Sequence, residues 1–207
     1  MKHTAFGVKL LLCFICVSLP QPAIAHRPIF TDAPATSPET AIQVTEPGIS
    51  QVVYREITEK TPQVWLAFTA PKDFALFIQI GVPVIDRLKD FRPAMVVIGP
   101  GLQGEAAPFK IPENTGTKVF STQELAKPRF FQEHFTGTDS WILRSETVKL
   151  PEPGKYYVVA FSPQKQAGKL WLSIGKKETF RLQDFREFPI WRQRIQEFHE
   201  VKRGEEE

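Results

Sequence analysis

Residues 64–80 read VWLAFTAPKDFALFIQI and contain two short apolar runs on either side of a turn. Both runs are rich in β-branched and aromatic residues, which are the residues enriched in strands. Between them, Ala70-Pro71-Lys72-Asp73 combines Pro and Asp, which favour turns. We therefore predict two strands here and expect a hairpin to join them.

Similar runs recur on both sides of this stretch. Val53 and Ile57 precede it, and the run 94–98 is apolar on both faces, as in a central strand. Further strands are predicted over residues 141–150, 156–161 and 170–174. Segment 99–121 is rich in Gly, Pro, Asn and Thr, which predicts a long loop. Seven or so strands without long helices between them predict a mainly β fold, a single jelly-roll-like β-sandwich.

Three stretches between residues 64 and 174 resemble a known family. They are VWLAFTAPKDFALFIQIGVP (64–83), PAMVVIGPG (93–101) and LPEPGKYYVVAFSPQKQAGKLWLSIG (150–175). Their order resembles the bacterial pre-peptidase C-terminal domain, a β-sandwich appended to secreted enzymes. The resemblance implies an accessory, binding or chaperoning role and carries over no active-site residue.

The first 25 residues have the layout of a cleavable signal peptide. Lys2 and Lys9 are basic, residues 10–19 are apolar, and Ala23-Ile24-Ala25 is a small-residue cleavage pattern. The apolar run is too short to span a bilayer, which takes about 20 residues. We therefore predict cleavage before His26 and export to the periplasm or the medium.

These patterns divide the chain into four segments. Residues 1–25 are the predicted signal peptide, 26–50 an extended Pro-rich lead-in, 51–182 the sandwich domain, and 183–207 an amphipathic helix with an acidic tail. The lead-in contains prolines and small polar residues without apolar periodicity, which indicates an extended segment.

Cleavage would also remove both cysteines and lower the net charge of the exported chain. Cys13 and Cys16 both lie in the signal peptide, so the exported chain would have neither a disulfide nor a thiolate metal site. Losing Lys2 and Lys9 from 26 basic residues leaves 24 against 23 acidic residues. Because nucleic-acid-binding domains are strongly basic, we expect no nucleic-acid partner.

The C-terminal segment has the periodicity of a helix over residues 184–200. Phe188, Trp191, Ile195 and Phe198 fall at steps of three, four and three and form one apolar stripe. Pro189 is expected in the first turn, where proline is tolerated. The stripe is a predicted interface that docks on the sandwich, on a partner protein or on a membrane surface. Because glutamates oppose attraction of the helix to an anionic bilayer, docking on protein is favoured over lipid.

No catalytic constellation is recognisable, since the sequence contains neither G-x-S-x-G nor H-E-x-x-H. We assign no catalytic residue and no required cofactor. His26 is the exception of interest, because cleavage would give it a free α-amine beside its imidazole, a pair that can chelate copper. His134 or His199 would have to supply the next nitrogen, and we take His26 and His134 as the candidate metal ligands.

Two functional hypotheses remain. The first is a non-catalytic exported binding module that acts on a protein or a cell-envelope component. The alternative is a copper-binding or copper-dependent protein that uses His26 as its mature N-terminus.

Overall fold

The computed structural model describes residues 26–104, 106–125, 127–179 and 184–202. The predicted signal peptide and the acidic end of the tail lie outside these residues, so both stay predictions. The strands are β1 (Arg27–Pro28), β2 (Ile42–Gln43), β3 (Gln51–Ile57), β4 (Gln63–Ala70), β5 (Ala75–Pro83), β6 (Ala94–Gly99), β7 (Gly116–Phe120), β8 (Arg129–Glu133), β9 (Thr138–Lys149), β10 (Gly154–Phe161) and β11 (Gly168–Ile174). A short 3-10 helix, Asp86–Leu88, follows β5, and α1 (Asp184–Phe198) follows the strands.

The strands form two sheets that pack face to face. One sheet has the order β1-β3-β11-β5-β9-β8, and the other has the order β2-β4-β10-β6-β7. The main core lies between them and includes Ile78 and Leu172 from the first sheet and Leu66 and Val158 from the second. The prediction of a mainly β fold with one sandwich and a C-terminal helix is confirmed. The run 94–98 is also the interior strand it was predicted to be, since β6 lies between β10 and β7.

The hairpin predicted across residues 70–73 is wrong. β4 belongs to the five-stranded sheet and β5 to the six-stranded sheet, so this turn carries the chain from one sheet to the other. The turn bonds to the end of β9 instead, where Asp73 N donates to Leu150 O (2.8 Å) and Leu150 N donates to Phe74 O (2.9 Å). Apolar runs with turns between them identify strands, but they do not specify which strands pair.

The lead-in contributes an edge strand to each sheet. β1 pairs in parallel with β3, and β2 pairs in parallel with β4. Ala35, Ala41 and Val44 are buried, so this segment packs against the sandwich at these points, whereas residues 32–34 and 39–40 are exposed. Its strands are two residues long, which is below what apolar periodicity can detect.

Segment 99–121 is only partly a loop, which corrects the prediction. β7 occupies its last third and pairs antiparallel with β6 from Gly99↔Gly116 to Met95↔Phe120. Leu102 packs against this strand so closely that a Cβ at Gly116 would lie 1.7 Å from the Leu102 carbonyl oxygen. β8 was not predicted either, because its two phenylalanines stand between charged and polar residues.

Helix α1 docks on the outer face of the six-stranded sheet. Trp191 and Ile195 are buried, whereas Phe188 and Phe198 are half-buried. The Phe198 ring meets Tyr54 of β3 with centroids 5.2 Å apart. Asp184 pairs with Arg27 at the start of the helix (3.5 Å), and Lys169 Nζ donates to Phe198 O at its end (3.0 Å).

Pro189 is not in the first turn as predicted. It is the sixth residue of α1 and lies inside the helix. Its missing N–H removes the bond that a residue here would donate to the carbonyl of Phe185. In the described part of the chain, no helix has both the length and the hydropathy needed to cross a membrane.

Candidate functional site

A small cavity lined by both polar and aromatic side chains lies between the C-terminal end of α1 and the six-stranded sheet. Its volume is about 20 Å³, which is room for one water molecule. It is lined by His26, Val52, Tyr54, Phe131, Glu133, Thr138, Ser140, Trp171 and His199.

Chain elements distant in sequence bring the two histidines of this cavity together. His26 immediately precedes β1, whose register is fixed where Arg27 N donates to Ser50 O (3.0 Å). His26 Nδ1 hydrogen-bonds to the hydroxyl of Ser50. His199 immediately follows α1, so its position depends on the docking of that helix.

A chain of hydrogen bonds fixes the tautomer of His199. Trp171 Nε1 donates to Ser140 Oγ (3.0 Å), and Ser140 Oγ lies 3.2 Å from His199 Nε2. The indole N–H can only donate, so Ser140 accepts from it, and the hydroxyl proton remains available for Nε2. His199 Nδ1 lies 2.9 Å from Ile195 O and donates to it. Because a carbonyl oxygen only accepts, the proton of the neutral imidazole lies on Nδ1, and Nε2 accepts from Ser140.

Burial keeps the cavity histidines neutral. It is the largest influence on the pKa of His199 and lowers it, and Lys169 lowers it further, against the opposing effects of the Ile195 carbonyl, Asp139 and Glu133. Burial likewise lowers the pKa of His26, which Glu133 partly opposes. The pKa of the Tyr54 hydroxyl is raised, again chiefly by burial. All three groups are uncharged near pH 7.

Glu133 supplies the negative charge beside the cavity, but turn hydrogen bonds hold its carboxylate. The carboxylate accepts from Phe135 N (2.9 Å), Thr136 N (2.8 Å) and Thr136 Oγ1 (2.5 Å). These bonds shape the turn between β8 and β9. The carboxylate is therefore held in a structural role.

Ser140 and His199 have the atoms of a nucleophile and a general base, but a substrate could not reach them. Ser140 is buried, its oxygen already accepts the Trp171 N–H, and the cavity admits no more than a water. Trp171 lies so close to Gly81 that a Cβ at residue 81 would be 2.2 Å from the indole. Among the described residues, no group of three or more His, Cys, Asp or Glu side chains is arranged to hold a metal ion. Within the described part of the chain, the cavity therefore offers neither an accessible nucleophile nor a preformed cluster of metal ligands.

The structure separates the two histidines taken from the sequence as metal ligands. His26 lines the cavity, whereas His134 is exposed in the turn after β8 and is not among the lining residues. His199, the other histidine considered, occupies the place beside His26. The sequence feature that could have identified His199 is its position next to Phe198, on the buried side of the helix. Tyr54 and Glu133 gave no such signal.

A second feature lies on one exposed side of α1. Phe185 is 57% exposed, and its ring centroid lies 5.0 Å from that of Phe188. Phe188 in turn lies 5.0 Å from Phe135 of the β8–β9 turn. A groove of about 530 Å³ is lined by Phe135 and Phe188 and is also bordered by Pro189 and Arg192, whereas Phe185 adjoins this group through its contact with Phe188. We refer to Phe135, Phe185, Phe188, Pro189 and Arg192 as the aromatic flank.

The opposite side of α1 is more polar. A groove of about 580 Å³ there is lined by residues that include Arg27, Phe30 and Arg194. Arg194 stacks over the Phe30 ring at 4.2 Å, and Arg27 pairs with Asp184. These basic side chains are therefore engaged within the protein.

Among known proteins, this chain has weak similarities to solved structures. No protein-family model matches the chain, and no curated protein matches it. It is similar to the pre-peptidase C-terminal domain of a Bacillus anthracis collagenase, with 12% identity, a TM-score of 0.33, and 64% of this chain and 91% of that chain covered. It is also similar to Aeromonas hydrophila PliG, a periplasmic lysozyme inhibitor of g-type lysozyme, with 10% identity, a TM-score of 0.33, and 65% and 96% covered. The first is a domain of the family that residues 64–174 resemble.

Proposed function

We propose that the protein is an exported, non-catalytic binding module that recognises a protein or cell-envelope component through the aromatic flank. The observation that carries this proposal is the row of contacting rings Phe185, Phe188 and Phe135 beside Arg192, in which Phe185 is exposed and the other two are half-buried. Contiguous exposed aromatic surface on a folded domain is typical of an interaction site. Aromatic and arginine side chains are also the residues that dominate binding energy at interfaces.

The docking of α1 changes which residues are available to a partner. Trp191 and Ile195 of the predicted interface are buried against the sandwich, and Phe198 packs on Tyr54. Of the four stripe residues, Phe188 alone also belongs to the aromatic flank. We therefore assign the binding role to the aromatic flank, on the side of α1 that does not pack against the sheet.

The shape and charge of this surface favour a protein partner over lipid. The most exposed apolar residues of α1 are Phe185 (57%) and Ile190 (58%). At 100° per residue they lie about 140° apart around the helix, so they cannot enter a planar bilayer together. Arg192 of the flank is exposed, as is Arg186, which follows Phe185 in the sequence, and this suits a partner that presents carboxylates around an apolar centre.

Affinity capture from the native envelope fraction tests this proposal. The immobilised wild-type protein is compared with a Phe185→Ser/Arg192→Glu variant and with a Glu59→Ser/Lys60→Glu control in the exposed turn after β3. We expect a component that binds the wild type and the control at least about tenfold better than the flank variant, as for loss of interface hot spots. Equal capture by all three proteins would exclude the aromatic flank.

A second candidate function is copper binding, because His26 and His199 line one cavity. After cleavage, the α-amine and imidazole of His26 and the imidazole of His199 would offer three nitrogens, a set that suits copper. Copper would have to displace the bonds from Ser50 to His26 and from Ser140 to His199. This competition with existing hydrogen bonds weakens the site.

Mass determination of the mature N-terminus comes first, since a start other than His26 removes the copper hypothesis. Copper titration then compares the wild type with His199→Ala and with His134→Ala as the matched control. If the hypothesis holds, His199→Ala abolishes binding and His134→Ala leaves it unchanged. Equal affinities in all three proteins would rule out the cavity.

A further inference from the structure

β8 is the one edge strand longer than two residues in the six-stranded sheet, and it is open. It pairs with β9 alone, and no other element in the described ranges hydrogen-bonds to its backbone. The other long edge strand, β7, carries Lys118 and is covered at one end by Leu102. β8 contains neither lysine nor proline, the residues that natural edges use against pairing.

The sequence of β8 is complementary to itself. It reads RFFQE, so antiparallel pairing of two copies centred on Phe131 places Arg129 opposite Glu133 of the second copy. The same register places Phe131 opposite Phe131 and Phe130 opposite Gln132. Opposite charges and aromatic pairs that face each other across strands stabilise a sheet.

The two charged ends of β8 can both accept such a partner. Arg129 is exposed and takes part in no ion pair with any described residue. The Glu133 carboxylate accepts three hydrogen bonds from its own turn. A carboxylate has about four acceptor positions, so one is left for an arginine.

Pairing would also cover exposed aromatic surface. Phe130 is 50% exposed on the side of the sheet that carries Trp141, with ring centroids 5.4 Å apart. In the register centred on Phe131, the two Phe130 side chains are diagonal neighbours, a separation that aromatic rings can bridge. Self-pairing therefore satisfies the backbone edge, the charges and the exposed ring together.

We propose that a second copy of this chain docks on β8, by antiparallel β8–β8 pairing centred on Phe131, so that the two six-stranded sheets become one. This interface uses residues outside the aromatic flank and stands independently of the proposed function. The two-fold axis places both α1 helices on the same face of the joined sheet.

Sedimentation velocity of the purified full-length protein over a range of concentrations tests the pairing. The wild type is expected to dimerise, and Arg129→Glu is expected to raise the dimer dissociation constant about tenfold or more, because two like-charge pairs replace two attractive ones. Lys60→Glu makes the same charge change in the exposed turn after β3 and is expected to leave the dimer unchanged. A wild type that is monomeric at every concentration overturns the proposal.

Disulfide trapping tests the register. Phe131→Cys, in a chain with Cys13 and Cys16 replaced by alanine, is expected to form a covalent dimer on oxidation, because residue 131 faces its own copy. Glu59→Cys in the same background is the control and is expected to stay uncrosslinked. A dimer that resists Arg129→Glu and is not trapped through residue 131 uses another surface and also overturns the proposal.

Discussion

The histidines of this protein differ in environment more than in sequence context. His199 is buried, and both of its ring nitrogens have hydrogen-bond partners, whereas His134 is exposed. A buried neutral histidine stabilises the fold only while it stays neutral. The role of His199 is therefore visible in the pH dependence of stability.

We expect the free energy of unfolding to fall as the pH drops from 7 to 5. Burial lowers the folded-state pKa of His26 and His199 below the value of about 6.5 that they have when unfolded. Their contribution is complete above about pH 6.5 and is lost as the pH falls toward the folded-state pKa, because the unfolded chain binds the protons first. Urea unfolding at a series of pH values measures this slope.

Two single substitutions test whether His199 contributes to this pH dependence. His199→Gln is expected to lower stability at pH 7 and to reduce the slope between pH 7 and pH 5, whereas His134→Gln should change neither. A slope in His199→Gln equal to that of the wild type would show that His199 does not titrate with unfolding.

Glu200 combines a strained backbone with two ionic contacts. Its φ is 57°, in the left-handed region that favours glycine. Its carboxylate accepts from Arg87 Nη1 (2.7 Å) and from Lys169 Nζ (2.7 Å), and these bonds lower its pKa to about 2. Val201 N donates to Gln196 O (3.0 Å), so the left-handed residue closes α1 in a Schellman motif.

Two variants of Glu200 separate the backbone strain from the ionic contacts. Glu200→Ala and Glu200→Gly both lose the carboxylate, but only alanine keeps the left-handed strain. We expect the glycine variant to be more stable than the alanine variant by about 1 kcal/mol in urea unfolding at pH 7. Equal stability would mean that the helix end rearranges when the carboxylate is removed.

Among the elements, α1 depends on tertiary contacts more than on its own sequence. Pro189 interrupts its hydrogen bonding, and a helix of this length is marginal in water on its own. The contacts of Trp191 and Ile195 with the sheet, together with the bonds at Asp184 and Phe198, hold it in place.

Truncation of one buried side chain tests this anchoring. Ile195→Ala is expected to lower the free energy of unfolding by about 2–4 kcal/mol, the usual cost of removing a buried isoleucine. Gln193→Ala, two residues earlier on the exposed side, is expected to change it by less than about 0.5 kcal/mol. Similar small effects in both variants would mean that the helix is not docked in solution.

Elements with long apolar runs could be predicted from the sequence, and short or polar ones could not. The runs in β4, β5, β6 and β10 identify strands because both of their faces are buried. β1 and β2 are two residues long and exist only because β3 and β4 are beside them. β7 and β8 carry charged or polar residues on exposed positions, which removes the apolar pattern.

For the molecule as a whole, sheet pairing and helix docking create features that no local pattern contains. Some consecutive strands, such as β4 and β5, lie in different sheets, whereas β8 and β9 form a hairpin. The face that each side chain occupies therefore depends on the complete topology. His26 and His199 meet because β1 pairs with β3 and α1 docks over the same sheet. The sequence indicated His26 as a candidate ligand, but its neighbour follows from the three-dimensional arrangement.

The central claim is that the aromatic flank meets a partner in the cell envelope. Site-specific photocrosslinking in the native host tests it most directly, with a photoreactive phenylalanine at residue 185 and, as the control, at exposed residue 147 on β9. We predict a discrete crosslinked species from residue 185 and none from residue 147. No crosslink at residue 185, or the same species from both positions, would contradict the claim.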